Sequence, residues 1–247
     1  MASPSQKSET SSSLTKNPTR KQRRKQQRQS PTPTSSNDEQ TDDDTITTTS
    51  APAFLSIREI TSMATPIRLL VCSIGNPAPY TNTLHSAGHT VLSSLANSLA
   101  YPSFQKSSKY GNGMLSEGSE YTLWQSRSLM NVSGAGVSAA WRQFQKESRG
   151  EEARLVVVHD ELELGVGEVK VRDGGASAKG HNGLKDIAKR LSGQKYMRVA
   201  VGIGRPESRD PNVVAGYVLR KMSGTEKSRI EGAVGRVEGE LMRLKGL

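Results

Sequence analysis

Two side chains in this 247-residue chain have the chemistry of a general base and the acid that orients it. His85 stands after the apolar run 67–74 and a Pro-broken turn, where a helical pattern begins. Asp160 stands just past the apolar run 154–158. Imidazole ionises at about 6.5 when unperturbed, so at neutral pH it can be both neutral and basic. A carboxylate on its other nitrogen fixes the tautomer and supports the charge that develops when it takes a proton. The ends of neighbouring parallel strands lie side by side, and ligand sites gather there. Spacing alone also admits a plainer reading, in which His85 caps its helix and Asp160 bonds only to backbone.

The rest of the composition narrows the chemistry. The one cysteine, Cys72, lies inside an apolar run and reads as a buried, inert thiol. One cysteine allows no internal disulfide and fits a reducing compartment, cytoplasmic or mitochondrial. With four histidines and no ligand-spaced cluster, no metal and no cofactor is expected. Water activated by histidine is then the available route to hydrolysis. Asn76, Asn131 and Asn182 lie in loops after or between apolar segments, and each amide can donate and accept without adding charge. Singly, each is also a common turn residue. His181 is a possible second base, His89 a core or surface residue, and His159 a structural one, since strand alternation turns it away from Asp160.

These residues need elements to hold them. The run 67–74 has the length and branching of a buried strand, ended by Gly75 and by Pro77 and Pro79. Residues 85–100 carry Val91, Leu92, Leu95 and Leu99 at helical spacing. Further strands are predicted over 120–126, 154–158, 168–172 and 196–203. Further helices are predicted over 136–146 with Ser133 as cap, and over 181–191, 213–221 and 227–244. On strand 168–172, Lys170 and Arg172 share one face and Val169 and Val171 the other. Strands alternating with helices give the α/β class.

Charge is spread unevenly along the chain. Residues 1–30 hold eight Lys/Arg against one acid, residues 31–65 one against six, and residues 66–247 twenty-five against seventeen. The folded part is therefore basic by itself and suits a polyanionic partner, although many soluble domains carry a modest positive excess. Residues 1–62 are rich in Ser, Thr, Gln and Pro and hold almost no large apolar side chain before Phe54, the composition of a disordered extension. Its basic block, Arg20 to Arg28, fits a nuclear signal, an RNA-touching arm, part of an organellar leader or a solvated tail. Residues 63–247 form the domain, and Met63 is an alternative start.

Five motifs in order, GNPAPY with NTLHSAGH (75–89), LMNVSG (129–134), VVVHDELELGVGEVKVR (156–172), GHNGLKDI (180–187) and VGIGRP (201–206), resemble the bacterial-type peptidyl-tRNA hydrolases. The resemblance implies a single α/β domain with a mixed twisted β-sheet flanked by helices on both faces. It implies hydrolysis of the ester joining a peptide to the 3′ end of tRNA, without a metal or cofactor, by a monomer that needs no membrane. It makes His85 the catalytic base and Asp160 its orienting acid. It gives Asn76 and Asn131 to the peptide end and the water, Asn182 to the ester region, and Tyr80 to the cleft wall. Lys170 and Arg172 become a tRNA phosphate pair, which agrees with the charge pattern. Some relatives of the family act in organellar RNA splicing, so a non-catalytic RNA-binding protein on the same fold is the alternative.

Overall fold

The structure, a computed structural model, describes residues 66–246. The expected disordered extension 1–62 and its basic block lie outside the described residues. The run after Pro66 forms β1 (Ile67–Ser73), followed by a 3₁₀ turn (Leu84–Ser86) and α1 (Ala87–Ser98). Next come β2 (Gln105–Ser107), β3 (Gly113–Glu117), β4 (Tyr121–Gln125), a 3₁₀ turn (Met130–Val132) and α2 (Ser133–Glu147). Then β5 (Glu152–Glu161), β6 (Val169–Asp173), α3 (Asn182–Leu191) and β7 (Met197–Gly202) complete the sheet. Three helices close the chain: α4 (Pro211–Leu219), α5 (Gly224–Glu231) and α6 (Val234–Lys245).

One seven-stranded sheet runs β2-β3-β4-β1-β5-β7-β6. Its four central strands β4, β1, β5 and β7 are parallel, and β2, β3 and β6 are antiparallel additions at the edges. The sheet is therefore mixed, as expected. Strand alternation sorts its two faces. Leu69 and Val71 of β1 pack with Val156 and Val158 of β5 under α1, α5 and α6. Leu70, Cys72, Leu155 and Val157 pack on the other face under α2 and α3. Each fully buried Val or Leu stabilises this arrangement by about 1.5–3 kcal/mol. The parallel centre puts the carboxyl ends of β1, β4, β5 and β7 along one edge of the sheet, where the loops after β1, β4 and β5 emerge, while the loop to α3 leaves antiparallel β6 beside the start of β7.

Three local expectations need correction. The helix expected over 227–244 is two helices. Ser223 and Glu226 form a capping box that starts α5 earlier, and α5 ends at Gly232 before α6 begins. Ile230, Val237 and Leu241 still face the core, so apolar spacing continued across the break. Ser133 does not cap α2 but is its first residue; its hydroxyl donates backwards to the Met130 carbonyl at 2.9 Å. Strand β5 runs to Glu161, so Asp160 lies inside a strand rather than after one.

Candidate active site

The 3₁₀ turn carrying His85 is tied down from several sides. The Asn76 N–H donates to the Ser86 hydroxyl at 3.1 Å, and that hydroxyl donates to the Tyr80 carbonyl at 2.9 Å. Helix α1 then lies directly on β5. A side chain at Gly88 would put its Cβ 2.7 Å from the Val158 carbonyl oxygen, so only glycine permits this approach. The close seat brings His85 to Asp160. His85 Nδ1 lies 2.8 Å from Asp160 Oδ2, with Asp160 only 3% exposed. Since an ionised carboxylate can only accept, Nδ1 carries the hydrogen. The ring lines a cleft of about 460 Å³, and its Nε2 has no partner among the described residues.

Asp160 serves a second imidazole. His181 Nε2 lies 3.1 Å from Oδ1, and the two rings are 5.2 Å apart. His181 is the N-cap of α3, its Nδ1 accepting the Leu184 N–H at 3.3 Å. Burial alone would raise the Asp160 carboxyl, but the His85 and His181 imidazoles hold it well below the usual carboxylate range. For His85, burial lowers basicity, while the charge and hydrogen bond of Asp160 raise it and prevail. His159, expected to turn away from Asp160, nevertheless lines the same cleft. Its Nδ1 donates to the Asp160 carbonyl at 2.7 Å, and its ring meets His181 edge-on at 5.4 Å. Burial, with the charge of His181 adding to it, pushes His159 down to about 3. Burial likewise pushes His89 down to about 4. Neither is the base.

The asparagines divide. Asn182, the first residue of α3, is exposed and lines the cleft. Asn76 is 5% exposed, and its Oδ1 accepts the Met130 N–H at 2.8 Å. It thus clamps the loop after β1 to the turn holding Asn131, which is exposed. The same Met130 turn touches the start of α3, where a Cβ at Gly183 would meet the Met130 carbonyl oxygen at 2.8 Å. The segments carrying Asn76, Asn131 and Asn182 therefore converge on Met130, a residue the sequence reading passed over. The side chains of Asn76, Asn131 and Tyr80 are not among those lining the cleft; Tyr80 is 41% exposed.

Lys170 and Arg172 also lie outside the cleft lining. On edge strand β6 they pair in register with Ala200 and Arg198 of β7. Arg198 is buried, bonds the carbonyls of Asp173 and Ala176, and lines the cleft. Lys170, at the sheet edge, is exposed, and Arg172 is the cross-strand neighbour of the buried Arg198. The cleft also holds the ion pair Glu163–Arg205 at 2.7 Å. Its opposite wall is apolar, from Val214 and Val218 of α4.

His85, Asp160 and His181 are also the kind of donor set that could hold a cation. The hydrogen bonds fit protons better. To ligate through Nε2, His181 would have to carry its hydrogen on Nδ1, where the Leu184 N–H already points.

A family model described as peptidyl-tRNA hydrolase matches residues 70–244. The chain belongs to the peptidyl-tRNA hydrolase family. A family member from Rhodococcus erythropolis is 39% identical over 168 residues, covering 66% of this chain and 83% of that one. A Schizosaccharomyces pombe protein named as a probable peptidyl-tRNA hydrolase is 37% identical over 164 residues, covering 66% and 75%. The crystal structure of the Acinetobacter baumannii peptidyl-tRNA hydrolase superposes with a TM-score of 0.61 at 28% identity, over 72% of this chain and 89% of that one.

Proposed function

We propose that this family member hydrolyses the ester between a peptide, or an N-blocked amino acid, and the 3′ end of tRNA, with His85 as general base. One observation carries the reading. At the carboxyl ends of the parallel strands, a buried carboxylate holds His85 by Nδ1 and leaves Nε2 open to the cleft. His85 Nε2 takes a proton from water, and the resulting hydroxide attacks the peptidyl carbonyl carbon. The tetrahedral oxyanion collapses, the ester C–O bond breaks, and His85 returns the proton to the departing ribose oxygen. Asp160 keeps the hydrogen on Nδ1 and stabilises the imidazolium between the two transfers.

Asn182 at the cleft and the Asn76–Asn131 loops beyond it supply amides for the ester, the water and the oxyanion. Tyr80 flanks the same loops. Lys170 and Arg172 receive phosphates of the acceptor stem, a role supported by the positive excess of residues 66–247 and by their place on edge strand β6. All of these groups come from one chain, so a monomer suffices. Among the described residues no helix is long and apolar enough to cross a membrane. The test is incubation with N-acetyl-aminoacyl-tRNA beside free aminoacyl-tRNA. Release of acid from the first alone is expected; equal hydrolysis of both, or of neither, refutes the reading.

A further inference from the structure

We propose that His181 is a positioning residue whose bond to the second oxygen of Asp160 limits the hold of that carboxylate on the protonated form of His85. The proposal rests on His85 being the base. It follows from how each nitrogen is used. The Leu184 N–H points at His181 Nδ1, which must therefore accept, so the hydrogen of His181 sits on Nε2 and points at Asp160. Both nitrogens are thus engaged by partners within the protein. His85 differs in having only Nδ1 engaged. The two rings are alike in chemistry, but one acts on substrate and the other on the carboxylate between them.

Asp160 divides its charge between two donors. A donor on Oδ1 weakens the pull of the carboxylate on His85, and the His181 ring, 5.2 Å away, shields His85 from water. Both effects disfavour the imidazolium. The groups facing the pair are few. From β5 come Asp160 and, against His181, the neutral His159. The cleft wall adds Glu161, the Glu163–Arg205 pair, Lys179, Arg198 and Arg209. From α4 the facing side chains are apolar Val214 and Val218. None of these occupies Oδ1 of Asp160, so loss of His181 is not made good by a neighbour.

The test is H181N in the full chain. Asparagine is a strong N-cap, so it keeps a partner for the Leu184 N–H while its shorter side chain no longer reaches Asp160. The pH profile of kcat/KM on N-acetyl-aminoacyl-tRNA is measured beside wild type. The acid limb is expected to move up by about 0.5 to 1 pH unit, a loss of about three- to tenfold at pH 6, with the alkaline plateau within about threefold. A limb that stays or moves down, or activity lost at every pH, overturns the proposal. An active His85→Ala enzyme would instead overturn the base assignment, so the two failures are distinguishable. Nitrogen-15 NMR of histidine-labelled wild type needs no variant: the Nε2–H tautomer is expected for His181 at neutral pH, and an Nδ1–H tautomer or a charged ring overturns the proposal.

Discussion

Replacing Asp160 with Asn changes one oxygen to an NH2 group and nothing else in shape. Asp160 accepts from His85 on one oxygen and from His181 on the other, at 2.8 and 3.1 Å. Asn can accept on only one side. Because the Leu184 N–H fixes the hydrogen of His181 on Nε2, the amide oxygen must turn to His181 and the NH2 to His85. His85 Nδ1 then has to accept, and its hydrogen moves to Nε2, the atom that should take the proton from water. The variant also loses the negative charge beside the imidazolium. A unit pair about 4 Å apart in surroundings of effective dielectric about 20 interacts by about 4 kcal/mol. At about 1.36 kcal/mol per decade, that is about 10³ in rate, before the tautomer effect. The same swap in a histidine–carboxylate pair of a hydrolytic triad costs about 10⁴. Single-turnover hydrolysis of N-acetyl-aminoacyl-tRNA by D160N should therefore fall by about 10³ to 10⁴, with an unchanged circular dichroism spectrum. A folded D160N within about tenfold of wild type would refute the reasoning.

Other expected outcomes concern binding and the scaffold. K170A/R172A should weaken tRNA binding and flatten the slope of log K against log salt by about 1.4 to 1.8, for two phosphate contacts; an unchanged slope would move the tRNA surface elsewhere. G88A should lower stability by about 1–3 kcal/mol in urea titration, because its Cβ would lie 2.7 Å from the Val158 carbonyl oxygen; no loss would mean that α1 moves off β5 freely. Glu147 ties α2 to the segment before β3. Burial acts against its charge, but bonds from Lys109, Tyr110 and Gln143 hold it at about 2, below its ordinary value of 4.5. A lowered carboxylate contributes stability above its unfolded value and loses it as pH falls through the folded one. The stability gap between wild type and E147Q should thus be full at pH 6 and shrink from about 4.5 towards 2; a gap independent of pH would show that the charge plays no part.

What the sequence disclosed and what it concealed follow from the range of the forces involved. Apolar runs such as 154–158 marked buried strands because a strand covered on both faces needs apolar side chains on both. The His85–Asp160 pair was legible as two strand-end residues, and the motif resemblance joined them. His181 was harder to interpret. It was open as a second base, and only tertiary packing shows that its two nitrogens are already spent on Leu184 and Asp160. Arg198 lay within an apolar strand pattern and gave no sign that its guanidinium would turn to loop carbonyls beside the cleft. Met130 carried no signal of its own in the sequence, although three asparagine-bearing segments meet around it. The break between α5 and α6 was missed because apolar spacing continued across Gly232, while the stop came from local capping.

The most direct test of the central claim is H85A, with chemistry and binding measured separately. Single-turnover hydrolysis of N-acetyl-aminoacyl-tRNA should fall by about 10² to 10⁴, as for loss of a general base, while the tRNA dissociation constant stays within about threefold. Hydrolysis within a few-fold of wild type would contradict the account, whatever the binding.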